Sequence, residues 1–187
     1  MGLRFELLET PLKGLHLIQR SVLADERGFF QRLFCAEELP MFGWNAPVAQ
    51  VNHTLTAVRG SVRGLHAQLA PHAEAKLITC LRGEVWDVAV DLRTGSPTFM
   101  HWHAVHLSAA NACSYLIPEG FAHGFQTLSD DVEMLYVHSE FYHPESEFGV
   151  NIHDPQLAIQ WPLPVTMQSL KDAAMSMLPA TFQGIVL

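Results

Sequence analysis

Between Val62 and Gln68 the chain reads VRGLHAQ, placing an arginine, a glycine and a histidine within four residues of one another. A histidine such as His66 can serve as a metal ligand, as a general base, or as a core residue whose ring nitrogens are merely satisfied. The three options make different demands. A ligand needs further donors, a base needs a partner that fixes its tautomer, and a core residue needs only hydrogen bonds. The rest of the sequence has to decide among them.

Two other histidine patterns bear on the metal option. HWHAVH carries His101, His103 and His106, and PEGFAHGF reproduces the Pro-x-Gly-x-x-His half of a cupin metal motif, ending on His123. Residues two apart on a strand share a face, so His101 and His103 could ligate together, or equally face solvent. The remaining half of the cupin motif, a His-x-His followed by Glu, is missing. Gln68 occupies the partner position after His66, and His72 and Glu74 fall at the wrong spacing in a proline-containing stretch. Because a metal site needs its full ligand count, neither a metal nor another cofactor is expected, and HWHAVH reads as a surface strand.

The elements that must position these residues are nearly all strands. GLHLIQRSVL, APVAQVNHTLT, AKLITCLRG, EVWDVAVDLR, HWHAVHLSA, ACSYLIP, GFAHGFQTLS and VEMLYVHSEFY follow one another, divided by turn residues such as Gly83, Gly95-Ser96-Pro97 and Pro118-Glu119-Gly120. Such spacing predicts an all-β sandwich or barrel. Short helices are expected in CAEELPMFG, in DPQLAIQWP between its two prolines, and in part of 168–178. Between Ala75 and Arg93 alternating and continuous apolar stretches mix, as expected if one strand face packs in a closed sheet and the other partly against a partner.

At 187 residues the length suits one domain, 1–187, and no linker or repeat divides it. The 49% hydrophobic share against 16% charged residues leaves surface for a second subunit. A net charge of -8 argues against nucleic-acid coating and against an anionic membrane surface, so any anionic ligand must be held by a few local cations. The N-terminus, MGLRFELLETPLKG, puts acids and a proline where a signal peptide needs an apolar run, and no stretch approaches a membrane span; a cytoplasmic protein is expected. Cys35, Cys80 and Cys113 are widely spaced and read as core thiols.

DERGFF, QVNHT, VRGLHAQ, KLITCLRGEVWDVAVDLRTGSPTF, LIPEGFAHGFQTLS, LYVHSEFYHPESE and HDPQLAIQWP occur in the order and spacing of the dTDP-4-dehydrorhamnose 3,5-epimerases, and the chain resembles that family from about Leu3 to Leu178. The resemblance implies a metal-free, cupin-like double-sheet jelly roll with a few short peripheral helices. It also implies a homodimer in which the neighbour's N-terminal strands complete each active site. The implied substrate is a dTDP-linked 4-dehydro-6-deoxyhexose of deoxysugar biosynthesis, inverted at C3 and C5 beside the C4 ketone. Such a ketone acidifies its α C–H bonds, but the enolate needs a base, an oxyanion partner and an acid on the opposite ring face.

By that resemblance His66 is the base and Asp172, in SLKD, the carboxylate that orients it. Lys76 faces the C4 oxygen, and Tyr136 is the acid. Arg27 and Arg63 match diphosphate contacts, since a guanidinium fits phosphate oxygens in pairs. Phe30, Gln50 and Asn52 match the nucleoside end, and His123, Tyr142 and Glu147 further substrate-lining positions. The chain departs from the family pattern at Ala67, where an aromatic is usual, at Arg32, where a glutamate is usual, and at Ile152-His153, near a common tryptophan. These departures are expected to alter the walls of the site, not its proton chemistry, with Arg32 adding a phosphate contact or rejecting the usual nucleotide. A mono-epimerase, a ketoisomerase and a non-catalytic sugar-binding barrel are the competing readings. The set His66, Lys76, Tyr136 and Asp172 favours epimerisation.

Overall fold

The structure, a computed structural model, describes residues 3–187. In chain order its strands are β1 (Phe5–Glu9), β2 (His16–Arg20), β3 (Val22–Asp25), β4 (Gly28–Gln31), β5 (Gln50–Thr56), β6 (Val62–Gln68), β7 (Lys76–Arg82), β8 (Glu84–Asp91), β9 (Trp102–Ser108), β10 (Cys113–Ile117), β11 (Phe121–Thr127), β12 (Val132–His138) and β13 (Glu147–Gly149). They build a six-stranded sheet in the order β1-β2-β10-β7-β12-β5, a five-stranded sheet in the order β13-β6-β11-β8-β9, and a separate hairpin, β3-β4. Every strand pairing is antiparallel. The two large sheets face each other as the expected cupin-like all-β barrel.

Alternation along the strands sorts the apolar side chains into three layers. Ile78, Cys80, Ala89, Tyr115, Phe121, Phe125 and Met134 meet between the sheets. Val62, Leu65, Val88, Val90 and Ala122 point out of the five-stranded sheet and are covered by Val150, Ile152, Leu157, Leu178 and Ile185 of the C-terminal region. Ile18, Leu77, Leu116 and Val137 point out of the six-stranded sheet, under Leu39, Phe42 and Trp44. Each large side chain so buried contributes roughly 1.5–3 kcal/mol. This corrects the reading of KLITCLRGEVWDVAVDL. Its strands are apolar on both faces, and the chain's own flanking segments cover much of the outer face.

The helices are smaller than expected. CAEELPMFG yields a 3-10 turn over Leu39–Phe42, closed by Gly43 in the left-handed region at φ 103°. The tail yields one helical turn, α1 (Leu170–Ala173). DPQLAIQWP forms no helix: the Asp154 carbonyl accepts from the amides of Leu157 and Ala158, and the chain then leaves through Ala158 at φ 47°. The Asp154 carboxylate binds the amides of Gln156 and Leu178 at 2.8 and 2.5 Å, so it ties this turn to the tail. A side chain competing for nearby amides favours turns over helix.

One contact between strands sets the site. Gly64 of β6 lies against Gly124 of β11, and the pairing register shifts between His123 and Phe125. Gly64 has φ 116°, and a Cβ there would lie 2.6 Å from Gly124 Cα and 2.7 Å from the His123 carbonyl oxygen. Only glycine fits both the backbone and the space. Gly64→Ala is therefore expected to destabilise the fold by about 1–3 kcal/mol, the usual cost of overpacking, and to lower the melting temperature in thermal denaturation. An unchanged melting temperature would show that the two strands can part freely.

Candidate active site

A cavity of about 570 Å³ opens between the sheets, lined by Asn52, Arg63, His66, His123, Tyr136 and Asp172 among others. A smaller one of about 160 Å³ adjoins it, with Gln68, Glu74, Lys76, Tyr142 and Glu147 in its wall. His66, His123, Tyr136 and His138 line both. The five-stranded sheet supplies His66 and His123, which stand opposite each other across the β6-β11 pairing. The six-stranded sheet supplies Lys76, Tyr136, His138 and Asn52, with His138 in register between Gln50 and Lys76. The sheets thus bring opposing groups to one space.

His66 is half-buried, and its Nε2 lies 2.9 Å from Asp172 Oδ1. The carboxylate arrives by local chemistry in the tail. The Met167 carbonyl accepts from the Val62 amide at 2.9 Å, which fastens the tail to β6. Ser169 then caps α1 by accepting from the Asp172 amide at 3.0 Å. Asp172 Oδ2 accepts from the Gly64 amide at 3.2 Å. Burial alone would raise the Asp172 carboxyl, but the bonds from His66 and Gly64, with the charge on His66, hold it below the ordinary carboxylate value. With Nε2–H given to the carboxylate, Nδ1 is left as the ring's proton acceptor.

Lys76 is buried, and its Nζ donates to the His66 carbonyl oxygen at 3.3 Å and lies 3.0 Å from Glu74 Oε1. Glu74 Oε2 is 2.7 Å from His138 Nδ1, and His138 Nε2 is 3.3 Å from Asn52 Nδ2. Burial pushes the Glu74 carboxyl up, yet the Lys76 ammonium and His138 bring it below its ordinary value. His123 is buried with Nε2 2.8 Å from Asp87 Oδ1. Asp87 is fully enclosed, and burial raises its carboxyl despite that imidazole. Tyr136 packs on the inter-sheet core, where burial pushes its hydroxyl well above a phenol's ordinary value. It stays protonated throughout the physiological range.

Arg63 reaches the large cavity and donates to Thr56 Oγ1 at 2.8 Å and to the Leu55 carbonyl. Tyr142 Oη donates to Glu147 at 3.0 Å, and Lys171 Nζ holds the same carboxylate at 2.6 and 2.7 Å. Gln50 stands outside both walls, accepting from the Tyr142 amide at 3.1 Å. Arg27 and Phe30 are not brought to the cavity of their own chain. They sit on the β3-β4 hairpin, with the Arg27 side chain 85% exposed and paired to Asp25 at 2.5 Å.

The departures from the family pattern leave the large cavity untouched within one chain. Arg32 is ion-paired with Glu38, which also accepts from the Arg4 amide at 2.7 Å. Arg32 therefore stands outside the walls of both cavities described above. Ile152 is buried in the outer apolar layer, His153 is exposed, and Ala67 touches only the smaller cavity while packing in that same layer. The histidines of HWHAVH disperse: His101 precedes β9, and exposed His106 binds Glu84 at 2.8 Å. Among the described residues, His72, His143 and Glu145 are the group whose ligand atoms come within 4.8 Å of one another; their loops lie outside the large cavity.

A model of the family described as dTDP-4-dehydrorhamnose 3,5-epimerase matches residues 9–179. The chain belongs to this family. It is 41% identical over 167 residues to the dTDP-4-dehydrorhamnose 3,5-epimerase of Shigella flexneri, covering 89% of this chain and 92% of that protein. The structure of dTDP-6-deoxy-D-glucose-3,5-epimerase from Legionella pneumophila, in complex with dTDP-4-keto-L-rhamnose, is 43% identical with a TM-score of 0.88, covering 92% of each chain. A 3'-monoepimerase from Streptomyces bikiniensis, in complex with dTDP-quinovose, is 34% identical with a TM-score of 0.83, covering 90% of this chain and 85% of that one. Epimerases are isomerases, and this is the enzyme class of the chain.

Sequence reasoning missed Asp87, Glu74, His138, Ser169 and Lys171. Two of them carried a signal. Asp87 interrupts the apolar stretch from Val85 to Val90, and His138 lies two residues from Tyr136, hence on the same strand face.

The depressed Asp172 carboxyl makes a pH-dependent contribution to stability. A carboxyl lowered in the folded state stabilises fully above its unfolded value of about 3.9, and that stability is lost as pH falls through the folded value. Asp172→Asn is therefore expected to melt below the wild type at pH 6, with the gap closing as pH drops below about 4. Parallel melting curves at all pH values would show that the carboxylate's charge is not what His66 and Gly64 hold.

Proposed function

We propose that the chain inverts C3 and C5 of dTDP-4-dehydro-6-deoxy-D-glucose through enolate intermediates, with His66 as base and Tyr136 as acid. The observation that carries this reading is their placement on opposite sheets, facing one cavity with Lys76 beside it. His66 Nδ1 takes the α proton, and Asp172 stabilises the imidazolium. The electron pair of the broken C–H bond moves toward the C4 oxygen, where the Lys76 ammonium stabilises it far better in a water-poor barrel than in water. Tyr136 returns a proton from the other face. Because its hydroxyl is raised by burial, it is protonated when the enolate forms.

The same reading extends to a homodimer in which the β3-β4 hairpin reaches the neighbour's cavity. Val22, Leu23, Phe29 and Phe30 leave the hairpin apolar and exposed, and Val51 and Leu55 do the same for β5, the edge strand of the six-stranded sheet. Exposed apolar surface of that kind calls for a cover. It would bring Arg27 and Phe30 to the nucleotide beside Arg63, supplying a second cation there in a net-acidic chain. Subunit complementation tests this. Arg27→Ala mixed with His66→Ala should regain activity that neither has alone, because one site of each mixed dimer inherits neither defect. No recovery on mixing would place Arg27 in its own chain's function or in none.

Turnover in heavy water, read by NMR, tests the chemistry. Deuterium at both C3 and C5 is the expected result, and deuterium at one carbon alone would make the chain a mono-epimerase. His66→Ala should abolish incorporation while changing nucleotide-sugar affinity by less than about tenfold, or 1.4 kcal/mol. Tyr136→Phe keeps the ring and deletes the acid. It should exchange the α protons with retained configuration, since the imidazolium can return a proton only to the face it came from, while epimer formation falls by about 10² to 10⁴. An unchanged ratio of exchange to inversion would remove Tyr136 from the mechanism.

A further inference from the structure

Each inversion leaves the two sides of the site out of balance. The C–H bond breaks, its proton goes to His66, and the new C–H bond forms with the Tyr136 proton, so the site ends as an imidazolium facing a phenolate. His66 is half-exposed and can shed its proton to solvent. Tyr136 is packed against the inter-sheet core, and its phenolate must be recharged before a second carbon can be inverted.

We infer that His138, held by Glu74, is the relay that returns a proton to Tyr136 between inversions; this rests on the roles proposed for His66 and Tyr136. His138 stands two residues beyond Tyr136 on the same face of β12, their rings stacked at 6.1 Å between centroids and 15° between planes. Both side chains line both cavities, so water in that space reaches both of them. The hydrogen bonds define the tautomer. The Asn52 amide nitrogen can only donate, so Nε2 of neutral His138 accepts from it, and Nδ1–H is donated to Glu74.

Nε2 is therefore the nitrogen that gains and loses the mobile proton, and in the charged state the Asn52 amide must turn its Oδ1 toward Nε2–H to accept from it. The ring takes that proton from solvent through the open cavity and passes it to the phenolate, ending as the neutral imidazole with its Nδ1–H still on Glu74. No oxidant, metal or further reactant enters the cycle. Glu74 stabilises the charged form across 2.7 Å, as Asp172 does for His66 on the opposite sheet. The groups facing His138 are Glu74 and Lys76 from the β7 side, Asn52 from β5 and Tyr136 on its own strand. Lys76 holds the second Glu74 oxygen, so the carboxylate is kept between the enolate-binding ammonium and the relay.

The test is a rapid-mixing experiment with the full-length enzyme and dTDP-4-dehydro-6-deoxy-D-glucose. His138→Gln keeps hydrogen bonds to Glu74 and Asn52 but carries no mobile proton. It should give a burst of about one singly inverted sugar per site, then a steady rate lowered by about 10², the lower end of what a positioned acid or base contributes. Added imidazole should restore the steady phase of the variant and leave the wild type unchanged. His138→Asn, which likewise carries no mobile proton and leaves the Glu74–Lys76 pair in place, serves as the second variant, with the same burst and the same rescue, and replaces the first if that one does not fold. Turnover without a burst, a loss that imidazole does not repair, or an unchanged steady rate would overturn the relay. A wild type that forms no epimer overturns the proposed function together with the relay, whereas an active wild type beside an imidazole-insensitive variant overturns the relay alone.

Discussion

The pairing of His66 with Asp172 is the constraint around which the rest of the chain is arranged. The two groups are 106 residues apart in sequence and 2.9 Å apart in space. Holding them there requires the tail to cross the outer face of the five-stranded sheet, which it does by burying Leu157, Leu178 and Ile185 against Val88, Val90 and Ala122. It also requires β6 to run close against β11, which the glycines at 64 and 124 allow. The apolar covering therefore stabilises the fold and aims a carboxylate at the same time.

Carboxylate–imidazole pairing recurs inside the barrel. His66 with Asp172, His123 with Asp87 and His138 with Glu74 all face or flank the same cavities. A charge left alone in such a place would cost several kcal/mol, so partners must be supplied with the fold. The environments nonetheless differ. Asp172 and Glu74 have enough donors to stay below the ordinary carboxylate value, whereas Asp87 is fully enclosed and is pushed above it. One imidazole therefore has a firmly anionic partner on each sheet, while the third sits with a carboxyl that resists ionisation. Environments that separate similar groups in this way are how a protein assigns different proton-handling roles to them.

The cations are distributed just as unevenly. Lys76 is buried in the wall of the smaller cavity, Arg63 lines the large one, and Arg27 stands away on a hairpin whose apolar residues are exposed. Arg32, the most conspicuous departure from the family pattern, is neutralised by Glu38. A chain carrying net charge -8 thus concentrates its useful positive charge at a few positions, and the hairpin carries one of them outward.

Much of this was legible in the sequence, for identifiable reasons. Strand periodicity and turn residues determined the all-β class, because alternation of side chains across a sheet is written locally. The ordered segments from DERGFF to HDPQLAIQWP carried the family resemblance. What the tertiary structure alone decided is pairing. Asp172 looks like a solvated tail carboxylate until α1 and the Met167–Val62 contact bring it to β6. Glu74 looks like a loop residue until Lys76 and His138 meet it from neighbouring strands. DPQLAIQWP satisfies a helix pattern, but Asp154 spends its carboxylate on the amides of Gln156 and Leu178 and turns the chain instead. Local pattern reports which face of an element a residue occupies. A hydrogen bond or an ion pair depends on distances of about 3 Å between groups that only long-range packing brings together.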